Sequence, residues 1–237
     1  VRITFMKKCP FCSFFMYMLN SLKISYYTII MSPYNVFEFI LYYIIFALGD
    51  YTIYFATNTI NDMFFRKNAP VSKVNTLSFS EWTIGNTISY TGIYLIYTKQ
   101  IGVLYFAINK YSMFYTIFSP FAYLFVQDLM FYVLHRIAHI PIMYKNIHYI
   151  HHKFRNPISW VGRISHCLDS NLENIAFIFP AIFIPIHCNI WFGCLIFSFV
   201  WGNFLHDSTN KREIKFLNDS TDHCLHHYYG QKNCNYS

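Results

Sequence analysis

Charge is scarce in this sequence. Of its 237 residues only 12% are Asp, Glu, Lys or Arg, against 55% hydrophobic ones. A soluble domain carries about a quarter charged residues, so the shortage argues against an ordinary water-soluble fold and for a chain solvated largely by lipid. The net charge of +7 is spread thinly and forms no dense basic block. Helix-turn-helix, zinc-finger and RNA-binding signatures are also missing, so the excess Lys and Arg read as juxtamembrane residues facing anionic lipid, not nucleic acid. A disulfide framework is missing too: the seven cysteines have no framework spacing. The pair Cys9 and Cys12 has the spacing of a redox or zinc half-site, but without a βαβ context or a second such pair it reads as reduced thiols. No signal peptide is visible, because Lys7, Lys8 and Lys23 break the first apolar stretch. The chain opens on Val1 and stops abruptly at Ser237, from which a C-terminally truncated chain is expected. Histidine is absent from the first 134 residues, and all eleven follow.

Apolar runs organise what is there. Asn35–Ile60 is the first credible span, imperfect because it contains Glu38 and Asp50. Trp82–Tyr97 is apolar but rich in Thr, Gly and Asn, and either spans or lies in the interface. Met113–Leu134 is the strongest single helix. Leu172–Leu205 is long enough for one tilted span or for a helical hairpin broken near Pro180 and Pro185. The expected fold is therefore all-α. Residues 1–112 form an N-terminal membrane region with one or two spans, and residues 113–237 form a second domain. In it a helical membrane bundle carries a polar cap built from 135–172 and 206–237.

Histidines crowd that cap. His135 and His139 form HxxxH; His148, His151 and His152 form HxxHH; His223, His226 and His227 form HxxHH. Positions i and i+3 or i+4 of a helix share a face, so each box can present two imidazoles to one ion. Adjacent histidines diverge by about 100°, so an HH pair can serve two different metals, or one metal and one supporting role. A lone interfacial histidine needs no explanation, but three clustered boxes do. Imidazoles so close together would repel if charged, whereas neutral rings around cations do not. Eight are too many for one ion, so two ions are expected; spacing alone leaves iron and zinc open.

The boxes and their surroundings resemble the membrane-bound fatty acid hydroxylase superfamily, and most of all its sterol C-5 desaturase (lathosterol oxidase-like) branch. The stretch "DLMFYVLHRIAHIPIMYKNIHYIHHKF", the continuation "HHKFRNPISWVGRISHCLDSNLE", the segment "FVWGNFLHDS" and the final "LNDSTDHCLHHYYGQKNCNYS" carry the likeness, which runs from Phe125 to Tyr236. Departures are Arg163 where a histidine is usual, Cys167 for a proline, Ser208 for a glycine and Asp222 where a further histidine often stands. The resemblance implies a fatty acid hydroxylase-like di-iron domain over 113–237. It would activate O2 with electrons from NAD(P)H through cytochrome b5 and its reductase, to desaturate a sterol. Hydroxylation of a 4-methyl sterol, sphingolipid or alkyl chain is the near alternative. A histidine-rich metal transporter or an inactive truncated relative is the alternative from another class.

On this reading the metal ligands are His135, His139, His148, His151, His152, His223, His226 and His227. His206 is a ninth ligand or an interfacial histidine, and His166 a ligand or part of the substrate entrance. Asp128, Asp169, Asp207, Asp222 and Asn233 are candidates to orient ligating imidazoles through the second ring nitrogen. Asp128 leads them, two turns before His135 on the same helix face. Lys145, Lys153, Arg155, Arg163, Lys211, Arg212 and Lys215 surround the boxes, and Arg66, Lys67 and Lys73 form a basic loop. Their positions predict that the cap is cytosolic, and the resemblance implies the endoplasmic reticulum membrane.

Overall fold

The computed structural model describes residues 33–65, 79–98, 101–208 and 218–230. The Cys9/Cys12 pair, the basic loop, Lys211, Arg212, Lys215 and Asn233 lie outside the described residues. The chain divides into two compact units, 1–45 and 46–237. Of the first, only the opening of helix α1 is described.

The helices are α1 (Pro33–Phe65), α2 (Phe79–Gly85), α3 (Thr87–Tyr97), α4 (Met113–Ala138), α5 (Pro141–Asn146), α6 (Cys167–Ile178), α7 (Cys188–Leu205) and α8 (Ser220–Tyr229). Among the described residues there is no strand, only an isolated bridge between Tyr105 and His187. The fold is all-α, as expected.

Three helices are long and apolar enough to cross a membrane, over Val36–Phe64, Met113–Ala138 and Cys188–Leu205. Large apolar side chains such as Phe114, Phe121 and Phe125 stand exposed along α4, and Ile196 and Phe197 along α7. In water such surface would be costly; in lipid it is ordinary. The chain is an integral membrane protein. Two polar positions inside the spans, Asp50 and Thr116, are satisfied internally. Asp50 of α1 accepts from Trp82 Nε1 (3.0 Å) and the Tyr90 hydroxyl (2.7 Å). Pro120 deprives α4 of one backbone donor, and the Ser119 hydroxyl bonds the carbonyl left over, that of Thr116 (3.1 Å).

The long helices run towards one end of the molecule. At the far end, the start of α4 meets the start of α7: the Tyr115 hydroxyl donates to the Pro185 carbonyl (2.7 Å). Nearby, Tyr105 pairs with Ile186 and Cys188, and His187 caps α7. At the near end, Asn61 and Asp62 of α1 bond Ser159 and Trp160, and α4 and α7 finish among the histidines. The chain must therefore return twice. α3 and α6 make the return, packed on each other, with Ile88 N–H bonded to the Asn171 side chain (2.8 Å). Gly92 permits the approach: a Cβ there would lie 2.4 Å from Ile178 Cδ1. At 11 and 12 residues, about 17 and 18 Å, both are shorter than a full span. The hairpin reading of Leu172–Leu205 is the realised one, with a break over Phe179–Ile182. α3 packing on α6 carries the contacts of unit 46–237 across residue 112.

Candidate metal centre

Four pieces of chain deliver histidines to the near end. The last turn of α4 brings His135, and the residue that caps it is His139. A short 3-10 helix, His148–Lys153, brings His148, His151 and His152. His206 caps α7. α8 brings His223, His226 and His227, and starts where the Asp219 carboxylate accepts from the backbone of Thr221 (2.8 Å) and Asp222 (3.1 Å).

These nine sort into two adjacent pockets. His135, His139, His148, His152 and His226 form one; His151, His206, His223 and His227 form the other. Each HH pair is divided between the two, as the 100° divergence of neighbours allows. The stacked rings of His152 and His227, 4.6 Å apart, are one of the contacts joining the pockets. Eight of the nine side chains are buried; His206 is the more open one.

Inside each pocket the Nε2 atoms converge. His226 Nε2 lies 2.9 Å from His135 Nε2 and 3.1 Å from His139 Nε2, and His148 Nε2 lies 3.1 Å from His152 Nε2. In the second pocket, His206 Nε2 lies 3.2 Å from His151 and 2.9 Å from His223, whose Nε2 lies 3.2 Å from that of His227. Two nitrogens bound at about 2.1 Å to one ion lie about 3.0 Å apart at a right angle and about 3.4 Å apart at the tetrahedral angle. The spacings match the right-angled case. A five-nitrogen set also exceeds the four ligands of a structural zinc site.

The opposite ring nitrogens decide what Nε2 carries. His135 Nδ1–H donates to Glu173 Oε1 (2.9 Å), and His148 Nδ1–H to both oxygens of Asp169 (2.8 and 3.0 Å). His206 Nδ1–H donates to the Gly202 carbonyl (2.7 Å), and His151 Nδ1 faces the Ile164 carbonyl at 3.4 Å. A neutral imidazole has one N–H. Where Nδ1 holds it, Nε2 is a bare lone pair facing other imidazole nitrogens, an arrangement that a cation satisfies. Protonation is resisted: burial and the neighbouring His148 and His226 push His139 down to about 3. Burial pushes His206 down to about 4, and His151, His152, His223 and His227 well below the usual value, with neighbouring histidines adding to it. The donor set fits two metal ions.

Several candidates fall elsewhere. Asp128 is exposed on α4 and hydrogen-bonds no histidine. Its reason is packing: the buried stripe of α4 follows i+4 steps through Ser119, Tyr123, Gln127, Phe131 and His135, and such a row is inclined to the helix axis. Two turns below His135 the stripe has therefore moved to Gln127, which bonds Ser198 on α7 (2.7 Å). His166 belongs to neither pocket; its Nδ1 accepts from Leu168 N–H (3.2 Å) and caps α6. Asp207 is buried and accepts from Asn61 of α1, and Asp222 sits half-buried in the first turn of α8. Asp169 does reach an imidazole. Glu173, which the sequence reading passed over, reaches another, and its signal was the four-residue spacing from Asp169 along α6. Trp160 is engaged with Asp62 (2.7 Å) and, through its carbonyl, with Tyr54 (2.5 Å). Arg163, the departure from the usual histidine, lies 4.0 Å over the Phe199 ring.

Comparison with known proteins points one way. The family model for fatty acid hydroxylases matches residues 120–237. Lathosterol oxidase of Rattus norvegicus is 26% identical over 208 residues, 83% of this chain and 68% of the relative. A Delta(7)-sterol 5(6)-desaturase of Gibberella zeae is 28% identical over 137 residues, 56% of this chain and 42% of the relative. Lathosterol oxidase of Homo sapiens is 29% identical over 123 residues, 50% of this chain and 41% of the relative. The chain thus spans about two thirds of the rat protein and less than half of the fungal and human ones. No solved structure matches.

Proposed function

The chain belongs to the fatty acid hydroxylase family, its sterol 5(6)-desaturase-like branch, and from that premise we propose that it is an O2-dependent di-iron oxidoreductase that introduces the C-5 double bond of a sterol. The observation that carries the reading is the convergence of nine Nε2 atoms in two adjacent pockets. Residues 113–237 hold every one of these histidines and constitute the metal-holding domain.

His135, His139, His148, His152 and His226 would hold one iron, and His151, His206, His223 and His227 the other. When bound, iron with O2 supplies the oxidising power that an unactivated C–H bond requires. The chain's own residues supply the rest. Asp169 and Glu173 hold the Nδ1 hydrogens of His148 and His135, and so keep each Nε2 lone pair facing inward. Depressed basicity at His139, His151, His152, His206, His223 and His227 keeps protons from competing for those lone pairs. Burial of eight imidazoles excludes bulk water. The partly open His206, at the end of the stacked Phe197, Trp201 and Phe204 rings, marks the side from which an apolar substrate reaches the pockets.

The near end also carries Arg136, Lys145, Lys153, Arg155 and Arg163, which supports a cytosolic orientation in the endoplasmic reticulum membrane. There cytochrome b5 and its reductase would deliver electrons from NAD(P)H. The test is complementation: the protein is expressed in yeast lacking its own C-5 sterol desaturase, and the sterols are profiled. Appearance of Δ5,7-sterols is the expected result. A folded, iron-loaded protein that yields none would overturn the sterol assignment and leave the metal centre standing.

A further inference from the structure

The two pockets are supported from different parts of the fold. The five-histidine pocket backs onto α6: Glu173 and Asp169, one turn apart, accept from His135 (2.9 Å) and His148 (2.8 Å). Asp169 is fully buried and Glu173 half-buried. His148, Asp169 and Glu173 offer atoms within 4.8 Å of one another, so the two carboxylates form one wall. The four-histidine pocket has no carboxylate behind the two rings whose Nδ1 partners are seen; His206 and His151 meet backbone carbonyls. What confines His206 is steric. A Cβ added at Gly162 would lie 2.7 Å from His206 Cγ and 2.9 Å from its Nδ1. Asn61 of α1 ties down both Asp207, next in sequence to His206, and Ser159 (3.3 Å), in the turn leading to Gly162.

We infer that Glu173 is a positioning residue of the five-histidine pocket alone and Gly162 of the four-histidine pocket alone, so that the two ions are held by independent supports. The inference rests on the reading that the pockets hold two ions. Glu173 fixes the tautomer and rotation of His135, whose Nε2 is 2.9 Å from that of His226. Gly162 leaves the space that the His206 ring occupies. Among the described residues no hydrogen bond joins Asp169 or Glu173 to Gly162; Arg163, next to Gly162, acts on both Glu173 and His206 by charge alone.

The test uses cobalt(II) as the probe on the full chain purified in detergent. Bound cobalt is counted after a chelator challenge that leaves both ions on the wild type. Glu173→Ala should weaken one ion about 10–100-fold, so that one cobalt per chain survives. Glu173→Gln, which keeps an acceptor for His135, should restore part of the loss. Gly162→Ala should also leave one cobalt, and the double variant none. If Gly162→Ala does not fold, Asn61→Ala takes its place. Loss of both ions from either single variant overturns the inference, because the supports would then be common. So does one cobalt retained by the double variant, because both residues would then serve the same pocket. Unchanged cobalt in Glu173→Ala overturns it as well. A wild type that binds no cobalt would overturn the metal reading itself, a result separable from these.

Discussion

Behind His135 and His148 stand the carboxylates of Glu173 and Asp169; behind His151 and His206 stand the carbonyls of Ile164 and Gly202. The first pocket is thus built of five imidazoles backed by carboxyl groups, and the second of four backed by backbone carbonyls, with a partly open edge at His206. An imidazole that donates to a carboxylate is a stronger ligand than one that donates to a carbonyl. The difference teaches that identical residue types can build two unlike sites, because the unlikeness resides in what touches the far nitrogen.

The largest effect expected on this comparison comes from removing a ligand. His226→Ala deletes the ring that contacts both His135 and His139, and His206→Ala the one that contacts both His151 and His223. Each should abolish turnover and reduce iron from two to about one per chain, measured by elemental analysis; retention of two irons by either would dissolve the division into pockets. Next comes Asp169→Asn, with metal affinity about 10–100-fold weaker in the five-histidine pocket only, read by competition with a chelator.

A smaller, graded effect should follow pH. Burial lowers His139 and His206 to about 3 and about 4, below the ordinary histidine value of 6.5. Between the lowered and the ordinary value the unfolded chain binds more protons than the folded one, so stability falls as pH falls. The metal-free protein in detergent should therefore lose thermal stability progressively from about pH 6.5 towards pH 4. The iron-loaded protein should resist until protons displace the metal. A flat profile for the metal-free protein would mean that its rings are not sealed from water. The smallest effect belongs to Asp128→Asn. Exposed on α4 and hydrogen-bonded to none of the nine histidines, it should leave the iron content at two, by the same elemental analysis.

The long spans are legible in sequence because a membrane demands about 20 apolar residues whatever the neighbours. The boxed histidines are legible because spacing along a helix determines which rings share a side. Which of His151 and His152 joins His148 was not, since both offsets suit a helical turn; the structure chooses His152 for one pocket and sends His151 to the other. Asp128 misled because a heptad step assumes a stripe parallel to the axis, whereas α4 crosses its partners on an inclined row. Glu173 escaped notice because its importance depends on α6 lying beside the end of α4, a contact between segments 38 residues apart. Gly162 carries no chemical signal at all; only the ring of His206 pressed against it gives it meaning. The return helices α3 and α6 were ambiguous because neither is long enough to declare itself as a span.

The near-end termini of the long helices carry an electrostatic consequence. Imidazole ligands bring no negative charge to offset the two divalent cations that the pockets would hold. Yet α4, α7 and α8 each place histidines in their final turn or at their C-cap. The unpaired carbonyls at a helix C-terminus carry about half a negative charge. Three such ends, about one and a half negative charges together, add a backbone share to what the Asp169 carboxylate supplies beside the pockets.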